Sequence, residues 1–275
     1  MRAYVQHPKQ LTRRGFCAAT MAALGHAALA SVARANSPTQ DAGYALVART
    51  DRARILAAAA RYVSLPPRTI TSYPTSRSPG GLHDYFSQAD YFWPNPADPN
   101  GKSINRDGQS NPDNFNDHRK AMVWLSIQIP ALTAAWRLTR NSRFGQHAAD
   151  HLRAWFITPA TRMNPHLEYS QGVHGVSTGR SYGIIDTLHL VEVARAASLL
   201  VPTMLNPNEQ TALHAWFTQY LRWMKTSDKG IAESKTLNNH AVCWALQAAE
   251  FARLVGDQPT RREVRTQYKT LFVPN

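Results

Sequence analysis

The sequence predicts an all-α protein built of antiparallel helix pairs, and three observations carry that prediction. Apolar residues recur at helical spacing in successive segments from Asp51 to the last residues of the chain. No stretch alternates apolar and polar residues as a half-buried strand does, and there is no strand–helix–strand rhythm. Two long stretches rich in Pro, Gly, Asn and Ser separate the helical segments, as loops gathered at one end of a helical domain would. With 43% hydrophobic residues, seven Trp and ten Tyr in 275 residues, the chain can fill a core and still line a groove, which argues against disorder.

Residues 1–35 stand apart from the fold. Thr12-Arg13-Arg14-Gly15-Phe16 leads into an Ala-, Leu- and Met-rich run ending near Ala33-Arg34-Ala35, the layout of a twin-arginine export signal with a small-residue cleavage site. The expected destination is periplasmic or secreted, reached through the twin-arginine machinery, and residues 36–275 are the expected helical domain. Removing the leader takes away Arg2, Lys9, Arg13, Arg14 and Arg34 and no acid, which leaves 26 basic against 18 acidic residues, +8 instead of +13. A positive field concentrates anionic polymers, nucleic acid and acidic polysaccharide alike. No Lys/Arg-rich run or nucleic-acid motif occurs, so nucleic acid is not an expected partner. Beyond the leader no apolar run reaches transmembrane length, so no membrane span is expected. Cys243 is left single, so packing and not an internal disulfide must hold the domain.

In chain order, Asp51–Val63 predicts a helix with Leu56, Ala59, Ala60 and Val63 on one face, closed by Pro66-Pro67. Residues 64–118 predict a long functional loop crowded with Tyr85, Phe86, Tyr91, Phe92 and Trp93. Helical period returns from Asp117 through Val123, Trp124 and Ile127, and Pro130 is expected to kink or split this segment before Asn141. A helix carrying Phe144, Ala148, Leu152 and Trp155 follows, then a Gly- and Pro-rich stretch over 157–183, then a helix opened by Asp186 with Leu188, Val191 and Ala194. Asn206-Pro207-Asn208-Glu209 reads as a capping box with Pro at the first helical position. Behind it Leu213, Trp216, Phe217, Tyr220, Leu221 and Met224 form one apolar stripe, assigned with Trp223 to the core. A polar turn is expected over 226–236, then a helix capped by Asn238 or Asn239 with Val242, Ala245, Leu246 and Ala249, and a last helix over about 260–272.

Three segments carry the chemistry. The first is His83-Asp84-Tyr85-Phe86-Ser87-Gln88-Ala89-Asp90-Tyr91-Phe92-Trp93-Pro94 with Ile104-Asn105-Arg106-Asp107-Gly108. The second runs from Met163-Asn164-Pro165-His166-Leu167-Glu168-Tyr169-Ser170-Gln171 to Gly179-Arg180-Ser181-Tyr182-Gly183-Ile184-Ile185-Asp186-Thr187. The third is Asn238-Asn239-His240 followed by Trp244. In this order the segments resemble the motifs of the alginate-lyase-like superfamily of helical-toroid polysaccharide lyases. The resemblance spans roughly residues 83–250, and the fold it implies is an (α/α) toroid or barrel with long loops lining a cleft. The activity it implies is cleavage of uronic-acid polymers of the alginate or glucuronan type by β-elimination.

That reaction removes the poorly acidic proton at C5 of a uronic acid. The neighbouring carboxylate must be neutralised by donors such as Asn, Arg or protonated His, while a base takes the proton and an acid protonates O4. By resemblance Asn239 neutralises the carboxylate and His240 is the base or a carboxylate partner. The plainer alternative is that Asn238-Asn239 caps a helix and His240 packs in its first turn. Arg180 suits bidentate carboxylate binding, with a surface salt bridge as its alternative. Gln171 and His174 offer hydrogen bonds, Tyr182 lies beside Arg180, Tyr91 and Trp93 offer flat faces for pyranose rings, and Arg106 adds charge. There is no HExxH, no CxxC and no tight His/Asp grouping, so no metal or other cofactor is expected.

The resemblance also implies further helices after Asn275, bearing an Arg and the Tyr that serves as catalytic acid. No other segment here replaces them, so an incomplete ring is expected, with a coding continuation past residue 275. Two other functions fit the residues. A glycoside hydrolase would draw two opposed carboxylates from Asp84, Asp90, Asp107 and Asp186, and a non-catalytic binder of acidic polysaccharide would need only Arg180 and the aromatic loop.

Overall fold

The computed structural model describes residues 38–273, and the predicted export leader lies outside them. The chain divides into two compact units, one ending at Ala53 and one running from Arg54. In the first, α1 (Pro38–Thr50) is described, and residues 42–47 of it are exposed. The second begins inside α2 (Arg52–Tyr62) and is all-α apart from four very short strands. Its helices are α3 (Asp117–Thr139), α4 (Ser142–Leu152), α5 (Leu190–Met204), α6 (Pro207–Thr226), α7 (Asp228–Ser234), α8 (Asn239–Val255) and α9 (Gln258–Gln267).

Burial of the predicted stripes builds the core. Leu213, Trp216, Phe217, Tyr220, Leu221 and Met224 of α6 are all buried, and Phe217 and Tyr220 pack on Phe251 of α8 while Trp216 and Phe217 pack on Phe156. Truncating a buried aromatic of this kind costs about 3–5 kcal/mol. The capping box of α6 forms as expected: the Asn206 carboxamide oxygen accepts from the Glu209 N–H, and Glu209 accepts from the Asn206 N–H. Glu209 also pairs with Arg153 at 2.7 Å, which ties the start of α6 to the end of α4.

Four expectations are corrected. Of the two effects expected of Pro130, the split does not occur: α3 runs through it, because it removes a single backbone donor while Ile129, Leu132 and Trp136 beside it are buried. Asp186 does not open a helix. It lies in a 3-10 turn, Ser181–Thr187, and its carboxylate turns inward instead of capping α5, which starts at Leu190. The polar turn over 226–236 contains α7, capped by Ser227, whose hydroxyl accepts from the Gly230 N–H; a side chain at Gly230 would collide with the Met224 carbonyl. On α8, Ala245 is buried as expected, but Val242 and Leu246 are 43% and 44% exposed, and the buried face is Ala241, Trp244, Ala248, Phe251 and Ala252. This helix is apolar on more than one face, so periodicity alone does not choose the inner one.

The strands escape sequence reading because none exceeds four residues, too short for alternation. β1 (Phe86–Gln88) pairs in parallel with β4 (Tyr169–Gly172), and β2 (Phe92–Trp93) pairs antiparallel with β3 (Ile104–Asn105). β1 and β4 bring the first and second motifs side by side. The 3-10 turn is moored to the helices by buried polar contacts: the Thr187 hydroxyl donates to Gln247 Oε1 at 2.8 Å, and Gln247 Nε2 donates to the Ile184 carbonyl at 3.0 Å. No described helix is long and apolar enough to cross a membrane.

Candidate active site

The 3-10 turn, β4, β2 and the first turn of α8 together hold the second and third motifs around one cluster of side chains. Its first part is a clamped cation. Arg180 donates through Nε to the Gln171 carbonyl at 3.1 Å and through Nη2 to Gln171 Oε1 at 3.0 Å. The guanidinium lies over the rings of Phe92 and Tyr182, with its carbon 5.1 and 5.2 Å from their centroids. Burial lowers its pKa from the ordinary arginine value, and no described carboxylate pairs with it at contact distance. A half-buried guanidinium with only neutral partners is stabilised by an arriving anion, and its remaining N–H groups form an open fork. The salt-bridge alternative for Arg180 is therefore not what the fold builds.

Gln171, which aims Arg180, is itself held from below. Its backbone has φ 49°, in the left-handed region, and its N–H donates to Ser87 Oγ at 2.8 Å across the β1–β4 pair. Its Nε2 donates to Asp186 Oδ1 at 3.1 Å, so the amide oxygen must face Arg180. Asp186, 3% exposed, also accepts from the hydroxyls of Ser87 at 2.6 Å and Tyr85 at 3.3 Å. Its charge is balanced by Arg119, whose Nη2 lies 3.1 Å from Oδ1 as an ion pair without hydrogen-bond alignment. The Nη1 of Arg119 donates to both oxygens of Asp90, at 2.7 and 2.9 Å. Burial works to lower the pKa of Arg119, but Asp186, Tyr85 and Asp90 outweigh it and the value is raised. Burial and the neighbouring Asp186 push the Tyr85 phenol well up.

The second part is the start of α8. Asn238 caps the helix by accepting the His240 N–H at 2.9 Å, which settles which of the two asparagines is the cap. Asn239 is exposed, and its side chain makes no hydrogen bond among the described residues. His240 meets Glu233 of α7, Nδ1 to Oε1 at 2.6 Å, and Glu233 is 0% exposed. The His240 ring stands edge-on to Tyr182 at 5.2 Å between centroids. Phe92, Arg180, Tyr182, His240 and Glu233 thus form one continuous line of contacts.

The remaining candidates lie off that line. His174 is exposed, 3.3 Å through Nε2 from the Asn100 carbonyl, and lines a separate cavity of about 700 Å³ with Arg77, Gln88 and Thr178. Trp93 donates its indole N–H to the Gln109 carbonyl at 2.9 Å, and one of its faces is covered by Arg106 at 5.0 Å. Tyr91 is exposed, with its carbonyl accepting from the Arg106 N–H. Of the carboxylates offered for a hydrolase pair, Asp90 and Asp186 are bound to Arg119, and Asp84 accepts from Asn164 at 2.7 Å and the Gly81 N–H at 2.8 Å. Among the described residues no group of three or more His, Cys, Asp and Glu side chains forms a candidate metal site.

Sequence reasoning missed Phe92 as a partner of Arg180, Arg119 and Asp186 as the braces beneath Gln171, and Glu233 as the partner of His240. Arg119 lies in a helix and Asp186 in the 3-10 turn at the end of the second motif, and local spacing gave no reason to expect that they form a buried pair. Glu233 lies in what read as a solvated turn.

Set against known proteins, the chain finds its kin. The sequence model of the alginate lyase family matches residues 69–275, and the chain belongs to that family. It is similar to the crystal structure of an alginate lyase from Bacteroides ovatus, at 28% identity and a TM-score of 0.75. The match covers 83% of this chain and 63% of that one, so the chain spans less than two thirds of its relative's length. None of the curated proteins compared with it matches.

Proposed function

We propose that the protein is a polysaccharide lyase that cleaves uronic-acid-containing polymers of the alginate or glucuronan type by β-elimination, on a helical ring of the (α/α) kind. The observation that carries this reading is the clamped, unpaired guanidinium of Arg180 in ring contact with Tyr182, which touches His240. Arg180 takes a sugar carboxylate through its open fork, Tyr182 and Gln171 shape that subsite, and the exposed amide of Asn239 at the N-terminus of α8 neutralises the carboxylate of the reacting sugar. His240 removes the C5 proton, the C4–O4 bond breaks as the C4–C5 double bond forms, and the departing O4 takes a proton from water. The aromatic loop with Tyr91, Trp93 and Arg106, and His174 on the neighbouring cavity, serve more distant sugars.

Incubation with alginate and with glucuronan tests this. A lyase leaves an unsaturated uronosyl end with new ultraviolet absorbance, and His240→Ala abolishes the signal. New reducing ends without that absorbance would establish a hydrolase, and binding without any cleavage would establish a polysaccharide-binding protein. We further propose export through the twin-arginine route to the periplasm or beyond. Replacing Arg13 and Arg14 by Lys is expected to hold the protein in the cytoplasm in a fractionation experiment.

A further inference from the structure

We infer that Glu233 is a positioning residue for His240, its buried carboxylate fixing the imidazole with the proton on Nδ1 and the lone pair on Nε2. The inference rests on the reading of His240 as a proton-transfer group. Three observations support it. Glu233 is 0% exposed, and its Oε1 lies 2.6 Å from His240 Nδ1. Its Oε2 is buried and meets no hydrogen-bond donor, so the ring is the partner that satisfies this carboxylate. Among the described residues His240 Nε2 has no hydrogen-bond partner, and it is not one of their buried unpartnered atoms, so it is open among them.

The proton arrangement follows from ordinary acid–base order. An ionised carboxylate can only accept, so the ring nitrogen 2.6 Å from Glu233 Oε1 is the donor. With Nδ1 committed to donating, a neutral ring must carry its lone pair on Nε2, the nitrogen that faces out. The pair also limits rotation: the Tyr182 ring packs against the imidazole while Glu233 holds one corner, and α7 and α8 carry Glu233 and His240 on separate helices. The same logic orients the base in hydrolytic triads, where a buried carboxylate acts through a histidine without touching substrate.

Nitrogen-15 NMR of the full chain with labelled histidines tests the inference, the His240 signals being assigned by their loss in His240→Asn. In the neutral ring the proton is expected on Nδ1; a proton on Nε2 in the unaltered protein overturns the inference without any variant at Glu233. Glu233→Leu is expected to shift the proton toward Nε2, the form free histidine prefers. It should also lower kcat on the polysaccharide about 10- to 100-fold while KM changes less than about threefold. An unchanged tautomer in folded Glu233→Leu also overturns it. A switched tautomer with undiminished lyase activity upholds the positioning by Glu233 and breaks the catalytic reading of His240, so the two failures are told apart.

Discussion

The two halves of the site are built to different degrees of redundancy. The Arg180 half is braced at every level: two rings clamp the guanidinium, Gln171 holds it twice, Asp186 and Ser87 hold Gln171, and Arg119 with Tyr85 holds Asp186. The His240 half has one buried brace, Glu233, and an exposed Asn239 with no described hydrogen bond. A group that recognises a fixed charge gains from rigidity, since less order remains to be imposed on binding. A group that transfers a proton needs the correct tautomer and room for the substrate, and one carboxylate suffices for that.

Removing a brace separates the halves most sharply. Arg119→Met strands Asp186 as an uncompensated buried charge and is expected to cost about 3–5 kcal/mol of stability, measured by urea unfolding. A cost below about 1 kcal/mol would mean that the rigid half does not depend on its ion network. Asn239→Ala should leave stability unchanged and lower kcat about 10²- to 10³-fold in steady-state assays. If it unfolds the protein instead, Asn239 belongs to the scaffold and the contrast between the halves fails. Arg180→Lys replaces a flat fork by a point charge and should raise KM about tenfold with a smaller change in kcat.

The gentlest probe is pH. His118 sits in the rigid half, where Nδ1 accepts the Phe86 N–H at 3.0 Å and Nε2 lies 3.0 Å from the Tyr73 carbonyl. Burial lowers its pKa. The folded state therefore keeps the ring neutral while the unfolded chain takes up a proton, so stability should fall as pH drops below the ordinary imidazole range. His118→Gln should flatten that acid-side slope in unfolding curves measured at several pH values. An unaltered slope would assign the acid sensitivity elsewhere.

Much of the helical frame was legible from residues: the capping box at Asn206, the buried stripe from Leu213 to Met224 and a cap at Asn238 or Asn239, which proved to be Asn238, depend on local spacing, which a single sequence displays. The line from Arg180 through Tyr182 to His240 was within reach because each motif carried its own residues. What stayed hidden depends on contacts between distant segments. Asp186 looked like a helix start because its partners, Ser87 and Arg119, lie 99 and 67 positions away. Glu233 lay in a segment of mixed polarity, and nothing in its neighbours announced full burial. Pro130 did not split its segment, since the local penalty of one lost donor is smaller than the packing on either side.

Gln171 carries a lesson for anyone engineering heat tolerance into this chain. A side-chain-bearing residue at φ 49° costs about 1–2 kcal/mol that glycine or, in part, asparagine would not incur, so a design that optimises foldedness alone would replace it. The substitution would relieve that strain, at the loss of one donor to buried Asp186, and leave the guanidinium unaimed. Thermal resilience and substrate grip compete at this single position, and a screen that selects on melting temperature without an activity filter would drift toward sturdy, blunted variants.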